Sequence, residues 1–339
     1  MNTKKILLRS RPQGVPDQNN FEFVEEQIES PNEGELLLKA LYISVDPYMR
    51  GRMNDAKSYA PPYKVNEPIT GGVVAEVVES RHPKFEKGDV ILGSLPWQTY
   101  SISDGKGVQK IDPEVAPLSY HLGILGMPGL TAYCGLLFIG EPKEGETVVV
   151  SGAAGAVGTV VGQIAKLKGC RVIGIAGTDE KVAYLKEELG FDEAINYKTT
   201  PDIAKALEQA CPNGVDIYFD NVGGDISDAV YTLLNKFARI AICGQIAFYN
   251  ATSRPTGPRI EPMLLTKSCL MKGFIVGDYA ARFPEAAKDL TAWVKAGKLK
   301  YEESITEGFD NLPQAFLGLF KGENTGKQLV KIADRSTQE

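Results

Sequence analysis

Between Thr147 and Lys168 the chain reads TVVVSGAAGAVGTVVGQIAKLK, a β-branched run that passes through small residues into an apolar stripe at helical spacing. Val148, Val149 and Val150 suit a strand covered on both faces, the setting of a parallel sheet. From Ala156 onward, Val157, Val160, Val161, Ile164 and Leu167 recur at three and four, so one face of a helix is expected to lie on that sheet. The turn between them sets free N–H groups and the positive end of the helix dipole where a pyrophosphate can meet them. In the dinucleotide pattern G-x-G-x-x-G the three positions fall on Ala153, Gly155 and Gly158, with Gly152 one residue ahead. The first glycine is therefore missing. Gly155 still lets phosphate oxygens approach the backbone, and Gly158 still lets helix and strand pack closely, a face that Gly162 continues. Tight turns before buried helices are common, so the strand and helix on either side carry the assignment.

Up to about residue 120 the chain reads as strands and loops, with strands expected at Lys5–Arg9, Leu36–Val45, Gly72–Glu79, Asp89–Gly93 and Thr99–Ile102. Pro/Gly-rich turns separate them, which suits a β-barrel. From about Gly145 strands and helices alternate. Strands are expected at Thr147–Ser151, Arg171–Ala176, Glu193–Asn196, Asp216–Asp220, Arg239–Cys243 and Lys272–Val276, and helices at Ala156–Lys168, Glu180–Leu189, Ile203–Ala210 and Ile226–Asn235. Such alternation implies an α/β fold with a doubly wound parallel sheet. After a further helix at Phe283–Ala296, Tyr301–Gly308 and Gln328–Ile332 read as strands that return to the first domain.

Several function classes are disfavoured. The 339 residues carry 37 Lys and Arg against 43 Asp and Glu, a net charge of −6, and no basic stretch marks a nucleic-acid footprint. The start, MNTKKILLRSRPQG, lacks the apolar core of a signal peptide, so a cytoplasmic protein is expected. Leu122 to Gly140 is uncharged and long enough to span a bilayer, yet it holds five glycines and Pro128. It reads instead as two short buried helices joined at Met127-Pro128-Gly129. Five separated cysteines without a C-x-x-C, and two histidines (His82 and His121) away from any cysteine, offer neither a disulfide framework nor zinc ligands.

Seven clusters occur in order along the chain: VDPYMRGRM (Val45–Met53), GMPGLTAY (Gly126–Tyr133), GTDEK (Gly177–Lys181), NYK (Asn196–Lys198), DNVGG (Asp220–Gly224), CGQIAFYN (Cys243–Asn250) and GENTGK (Gly322–Lys327). With the AAGAVG turn they closely resemble the zinc-independent medium-chain dehydrogenase/reductases, and within them the prostaglandin reductase (leukotriene B4 12-hydroxydehydrogenase) group, which includes alkenal double-bond reductases. The resemblance covers nearly the whole chain. It implies a GroES-like barrel domain over residues 1–124 and 300–339 and an NADP-binding Rossmann domain over 125–299, with NADPH as cofactor, no zinc, and a homodimer.

Residue by residue, the resemblance assigns Gly155, Ala156, Val157 and Gly158 to the pyrophosphate, and Lys181 and Tyr197 to the 2′-phosphate. Asp179 stands where NAD enzymes place a ribose acid, but reads better as a first-turn residue of the next helix. Asn221 resembles a nicotinamide-side asparagine, or caps the turn before Gly223. The segment Cys243, Gly244, Gln245, Ile246, Ala247, Phe248 and Tyr249 matches the stretch under the nicotinamide, Phe274, Ile275 and Val276 a further backbone contact, and Asn324 a loop ligand. Cys243 reads as a small buried residue rather than a nucleophile.

The implied reaction is NADPH-dependent reduction of a C=C bond conjugated to a carbonyl, with hydride delivered to the β-carbon. The protein must stabilise the developing enolate oxygen, for which a preorganised neutral hydroxyl suffices. Tyr249 and Tyr48 match the family's two candidates, each with the alternative of a core tyrosine whose hydroxyl is satisfied elsewhere. Arg50, with Arg52 beside it, is the candidate for orienting a substrate carboxylate, or else an ordinary surface residue. No tyrosine is followed by lysine four positions on, which removes the short-chain dehydrogenase pattern. The alternatives are an NADPH quinone oxidoreductase of the same superfamily and a non-catalytic NADPH-binding sensor.

Overall fold

The computed structural model describes residues 1–336. They form two compact units, Met1–Gly123 with Glu303–Asn324 and Gln328 onward, and Ile124–Glu302 with Thr325–Lys327. In the first unit the strands are β1 (Asn2–Leu8), β2 (Phe21–Gln27), β3 (Leu36–Ser44), β4 (Thr70–Ser80), β5 (Val90–Pro96), β6 (Tyr100–Ser103) and β7 (Val108–Lys110). The second unit holds β8 (Thr147–Ser151), β9 (Arg171–Ala176), β10 (Glu193–Asn196), β11 (Val215–Asp220), β12 (Leu234–Ile242) and β13 (Leu270–Gly273), and β14 (Glu303–Glu307) and β15 (Lys327–Lys331) follow.

One antiparallel sheet runs β14-β15-β3-β4-β5-β7, with β6 also paired to β3, and β1 and β2 form a separate antiparallel pair. Their apolar faces close on Trp97, which is wholly buried, stacks with Phe21 at 6.4 Å and meets Phe316 edge-on at 6.3 Å. β2 and β7 were not expected. FEFVEEQ buries only Phe21 while most of its other side chains face solvent, so its composition is that of a polar loop and only pairing with β1 makes it a strand.

The second unit is the expected doubly wound sheet, parallel throughout in the order β10-β9-β8-β11-β12-β13. Val148, Val149 and Val150 are fully buried, as a strand between two helical layers requires. The helix after the turn spans Gly158–Leu167 and buries Val160, Val161 and Ile164, whereas Leu167, at its last position, is 40% exposed and lies outside the expected stripe. Met127-Pro128-Gly129 is not a joint between helices. It is the first turn of one helix, Met127–Gly135, which continues into a wider turn at Leu136–Gly140, and proline without an N–H is accommodated in a first turn. The helix expected to reach Asn235 stops at Tyr231, because Leu234 is drawn into the core as the first residue of β12. β12 runs longer than Arg239–Cys243 and passes through Phe237 at φ 65°, where its register on β11 shifts. The edge strand β13 sits two residues before its expected start. Among the described residues no helix is long and apolar enough to cross a membrane.

The missing glycine of the turn is explained by its neighbour. Gly152 adopts φ +58° and turns the chain out of β8, while Ala153 is buried and donates its N–H to Ile175 O at 3.0 Å. A β-carbon on Gly158 would stand 2.4 Å from Gly152 O and 2.7 Å from Ala153 Cα, both backbone atoms that cannot rotate away. Gly158→Ala is therefore expected to cost roughly 1–3 kcal/mol in urea unfolding, and Gly155→Ala, whose β-carbon would lie 3.3 Å from Gly152 O, clearly less.

Candidate functional site

In an open parallel sheet ligands bind outside the carboxyl ends of the strands where the order reverses, here between β8 and β11. Ser151, the Gly152–Gly158 turn, Asp220 and Asn221 all stand at that point. Gly155, Ala156 and Val157 are half-buried; the Gly155 N–H donates to Gly152 O at 3.0 Å, the Thr159 N–H to Gly155 O at 3.1 Å and the Val160 and Val161 N–H groups to Val157 O at 3.1 and 3.0 Å, which leaves the N–H groups of Ala156, Val157 and Gly158 as those the turn can offer to a ligand. The C-terminal segment reaches this turn through its glycine: Gly326 N–H donates to Ala154 O at 2.8 Å, and Gly155 and Gly326 form a parallel bridge. Asn324 lies two residues earlier, half-buried, in the segment counted with the first unit.

Asn221 donates its side-chain amide to Ser151 O at 2.7 Å and its N–H to Ser151 Oγ at 2.9 Å, so its side chain ties β11 to β8, while the turn before Gly224 is capped by Asp220, whose Oδ1 accepts the Val222 and Gly223 N–H groups at 2.9 Å. The segment Cys243–Tyr249 crosses above it, with Ile246 N–H and Ala247 N–H bonded to the carbonyls of Asn221 and Val222. An open cavity of about 390 Å³ lies beside this segment, walled by Cys243, Gly244, Gln245, Tyr249, Phe274 and Ile275. Asp278 is at its rim, a carboxylate that no motif signalled. Phe274 is buried against Phe219, and Val276 begins the turn beyond. Phe248 packs near Gly223. Burial, with Asp220 adding to it, pushes the Cys243 thiol up to about 12, which leaves it a neutral thiol and a poor nucleophile. The Tyr249 hydroxyl accepts the Gln245 N–H at 3.3 Å, and burial raises its pKa above the ordinary 10.0.

At the end of β9, Gly177 is flanked by the turn after β10. A β-carbon there would lie 3.2 Å from Tyr197 Cε1, 3.5 Å from its hydroxyl and 3.3 Å from Lys198 Cε. Thr178 then caps the short helix Asp179–Ala183 by accepting the Lys181 N–H at 3.2 Å. Burial first, and then repulsion from Lys198, hold the Lys181 ammonium below its ordinary pKa. Two cations and a tyrosine thus gather at one strand end, and Lys198 is a member that the NYK motif gives no role by itself. Asp179 belongs to the helix turn and accepts from Asn196 Nδ2 at 2.7 Å.

In the first unit Tyr48 precedes the single turn Met49–Arg52 and is half-buried. Burial, then Asp46, raises its pKa, while Arg52 beside it opposes the shift. Arg50 is neither an orienting group at a surface nor an ordinary surface residue. It is 3% exposed, and its guanidinium donates to Gly14 O at 2.8 Å, Pro12 O at 3.4 Å and Asn54 Oδ1 at 2.7 Å, which commits it to holding the Pro12–Gly14 loop. Arg52 is the more accessible of the two. It stacks 4.1 Å above the Tyr63 ring and donates to Pro61 O at 3.0 Å.

A dinucleotide phosphate fits these residues: a turn with no room for a β-carbon at Gly158, the N–H groups of Ala156 to Gly158, and a lysine pair set where an NAD enzyme would place an acid. Among the described residues no three His, Cys, Asp or Glu side chains gather as a metal site. Comparison with known proteins matches residues 4–111 to the family described as the N-terminal domain of oxidoreductase, and residues 156–292 to that described as zinc-binding dehydrogenase. The chain is 48% identical to the NADPH-dependent curcumin reductase of Escherichia coli over 97% of each chain, and 44% identical to the 2-alkenal reductase (NADP(+)-dependent) of Nicotiana tabacum over 98% of each. The crystal structure of CurA from Vibrio vulnificus in complex with NADPH is 50% identical and superposes with a TM-score of 0.93, covering 98% of this chain and 99% of that one. The chain therefore belongs to the zinc-independent medium-chain dehydrogenase/reductases, in the group of NADP-dependent oxidoreductases that holds the curcumin, prostaglandin and 2-alkenal reductases.

Proposed function

We propose that the protein reduces the C=C bond of α,β-unsaturated aldehydes and ketones with NADPH, without a metal. The observation that carries this reading is the Tyr249 hydroxyl at the wall of the cavity. One lone pair accepts the Gln245 N–H, so the O–H proton is left to donate, and the raised pKa keeps it a neutral donor. A donor so aimed stabilises an enolate oxygen as charge develops on it. NADPH, when bound, supplies the hydride. The N–H groups of Ala156 to Gly158, with Gly155 giving close approach, would hold its pyrophosphate, Lys181, Tyr197 and Lys198 its 2′-phosphate, and Asn221, Cys243 to Tyr249 and Phe274 to Val276 its nicotinamide half, with Asn324 a further cofactor ligand. Tyr48, beside Arg52, is a candidate substrate contact. The names of the relatives support the same substrate class.

The test is NADPH consumption with 2-alkenals, aryl enones and quinones, with product analysis to show which bond was reduced. Saturated aldehydes and ketones are expected from the enals and enones. Turnover of quinones alone would replace this reading by the quinone reductase, and tight NADPH binding without any turnover by the sensor. In the same assay Tyr249→Phe is expected to lower kcat about 10-fold or more. Lys181→Ala is expected to shrink the NADPH-over-NADH ratio of kcat/KM by about 10- to 100-fold, the worth of a charge-assisted hydrogen bond; an unchanged ratio refutes the phosphate assignment.

Homodimerisation and a cytoplasmic location belong to the proposal. β13 ends its sheet, with Leu270 50% and nearby Leu265 81% exposed, an edge that a second copy could cover. All five cysteines are free, as in a reducing compartment. Light scattering should give twice the 36.8 kDa chain mass; a monomer at micromolar concentration rejects the dimer.

A further inference from the structure

Asp220 is completely buried at the tip of β11, and its carboxylate is met by an unusual number of donors. Oδ1 accepts from Ser151 Oγ (2.8 Å), the Tyr218 hydroxyl (2.9 Å) and the backbone N–H groups of Val222 and Gly223 (both 2.9 Å). Oδ2 accepts from Ser227 Oγ and from Gln245 Nε2, both at 2.9 Å. A buried carboxylate needs such a shell, since an unpaired one would be strongly destabilising. The shell has a direction. Oδ1 is spent on the residue's own strand and turn and on Ser151 of β8, while Oδ2, besides Ser227, reaches across to the segment that carries Tyr249.

Gln245 is held at both ends. Its side-chain amide donates to Asp220 Oδ2 and to Gly244 O at 2.9 Å each, and its main-chain N–H is the group that the Tyr249 hydroxyl accepts at 3.3 Å. The backbone of the same segment is tied to Asp220 as well, through Cys243 N–H and Gly244 N–H to Asp220 O at 2.8 and 3.1 Å. Gly223 makes room for the amide: a β-carbon there would lie 2.4 Å from Gln245 Oε1.

We propose that Asp220 is a positioning residue which, through the Gln245 side chain, sets the direction in which the Tyr249 hydroxyl donates. The inference rests on the role given to Tyr249 above. Chemistry supplies a selective way to break the link. In Asp220→Asn the amide oxygen must face the Oδ1 side, because the Val222 and Gly223 N–H groups there cannot turn away. The new NH2 then faces Gln245 Nε2, donor against donor, and turning the Gln245 amide over would set its oxygen against Gly244 O. Gln245→Met removes the same tether without touching Asp220, and serves if the first variant fails to fold.

The experiment is a double-mutant cycle on the full chain with a 2-alkenal at saturating NADPH: Asp220→Asn and Gln245→Met, each alone and combined with Tyr249→Phe, with NADPH affinity from fluorescence titration. Asp220→Asn and Gln245→Met are each expected to lower kcat about 10-fold at saturating NADPH, with the titration setting the NADPH concentration that saturates each variant. In the Tyr249→Phe background the same changes should lower kcat by less than about 2-fold, since no hydroxyl remains to be aimed. A merely structural role would give the same factor in both backgrounds, and that result overturns the proposal. So does full turnover in Gln245→Met when Tyr249→Phe is slow, an outcome that leaves the reading of Tyr249 standing. Full turnover in Tyr249→Phe itself removes both.

Discussion

The second unit turns on the gap between β8 and β11, where two neighbouring parallel strands send their chains to opposite sides of the sheet. Backbone groups at such a divergence lose their ladder partners, and they must be satisfied or offered to a ligand. On the β11 side Asp220 and Asn221 satisfy them, through Ser151 and the turn amides. On the β8 side the Gly152–Gly158 turn binds its Ala153 and Gly155 N–H groups and keeps those of Ala156, Val157 and Gly158 to offer. One half of the opening is thus rigid and the other receptive, which is what a site that holds a dinucleotide phosphate and aims a reactive ring needs.

The phosphate end and the chemical end are made differently. At the proposed phosphate end the groups are charged: burial first, and then repulsion from Lys198, lower the Lys181 pKa, and a bound phosphate dianion would offset both. At the chemical end the groups are neutral. Cys243 stays a thiol and Tyr249 a hydroxyl, because burial penalises their ionised forms. A neutral donor held by its neighbours costs little to keep ready and gains most when charge appears on the substrate.

Some of this was legible in the residues. Val148 to Val150 and the stripe of Val160, Val161 and Ile164 announced strand, turn and helix because their environment is uniform and their periodicity local. β2 was not legible, since FEFVEEQ owes its pairing to β1 rather than to its own composition. Nor were the bounds of β12, where Phe237 interrupts the ladder, or the start of the helix at Met127, where proline looked like a break and proved to be a first turn. In the site, Lys181, Tyr197 and Tyr249 came from motif resemblance. Arg50 was misplaced, because a guanidinium beside a turn looks exposed until the Pro12–Gly14 loop folds over it.

By itself the sequence determined the fold class, the place of the glycine turn between strand and helix, and the family, since these rest on local periodicity and on residues whose spacing is set by one strand or one turn. Tertiary structure decided which glycine makes the turn, that Lys198 joins Lys181, that Arg50 is a structural tie while Arg52 stands by Tyr48, and that Asp220 reaches Gln245. Apart from the turn glycine and the Arg52–Tyr48 pair, each depends on separate segments of the chain being brought together. Hydrogen-bond partners and mutual repulsion are properties of that meeting, and no residue carries them alone.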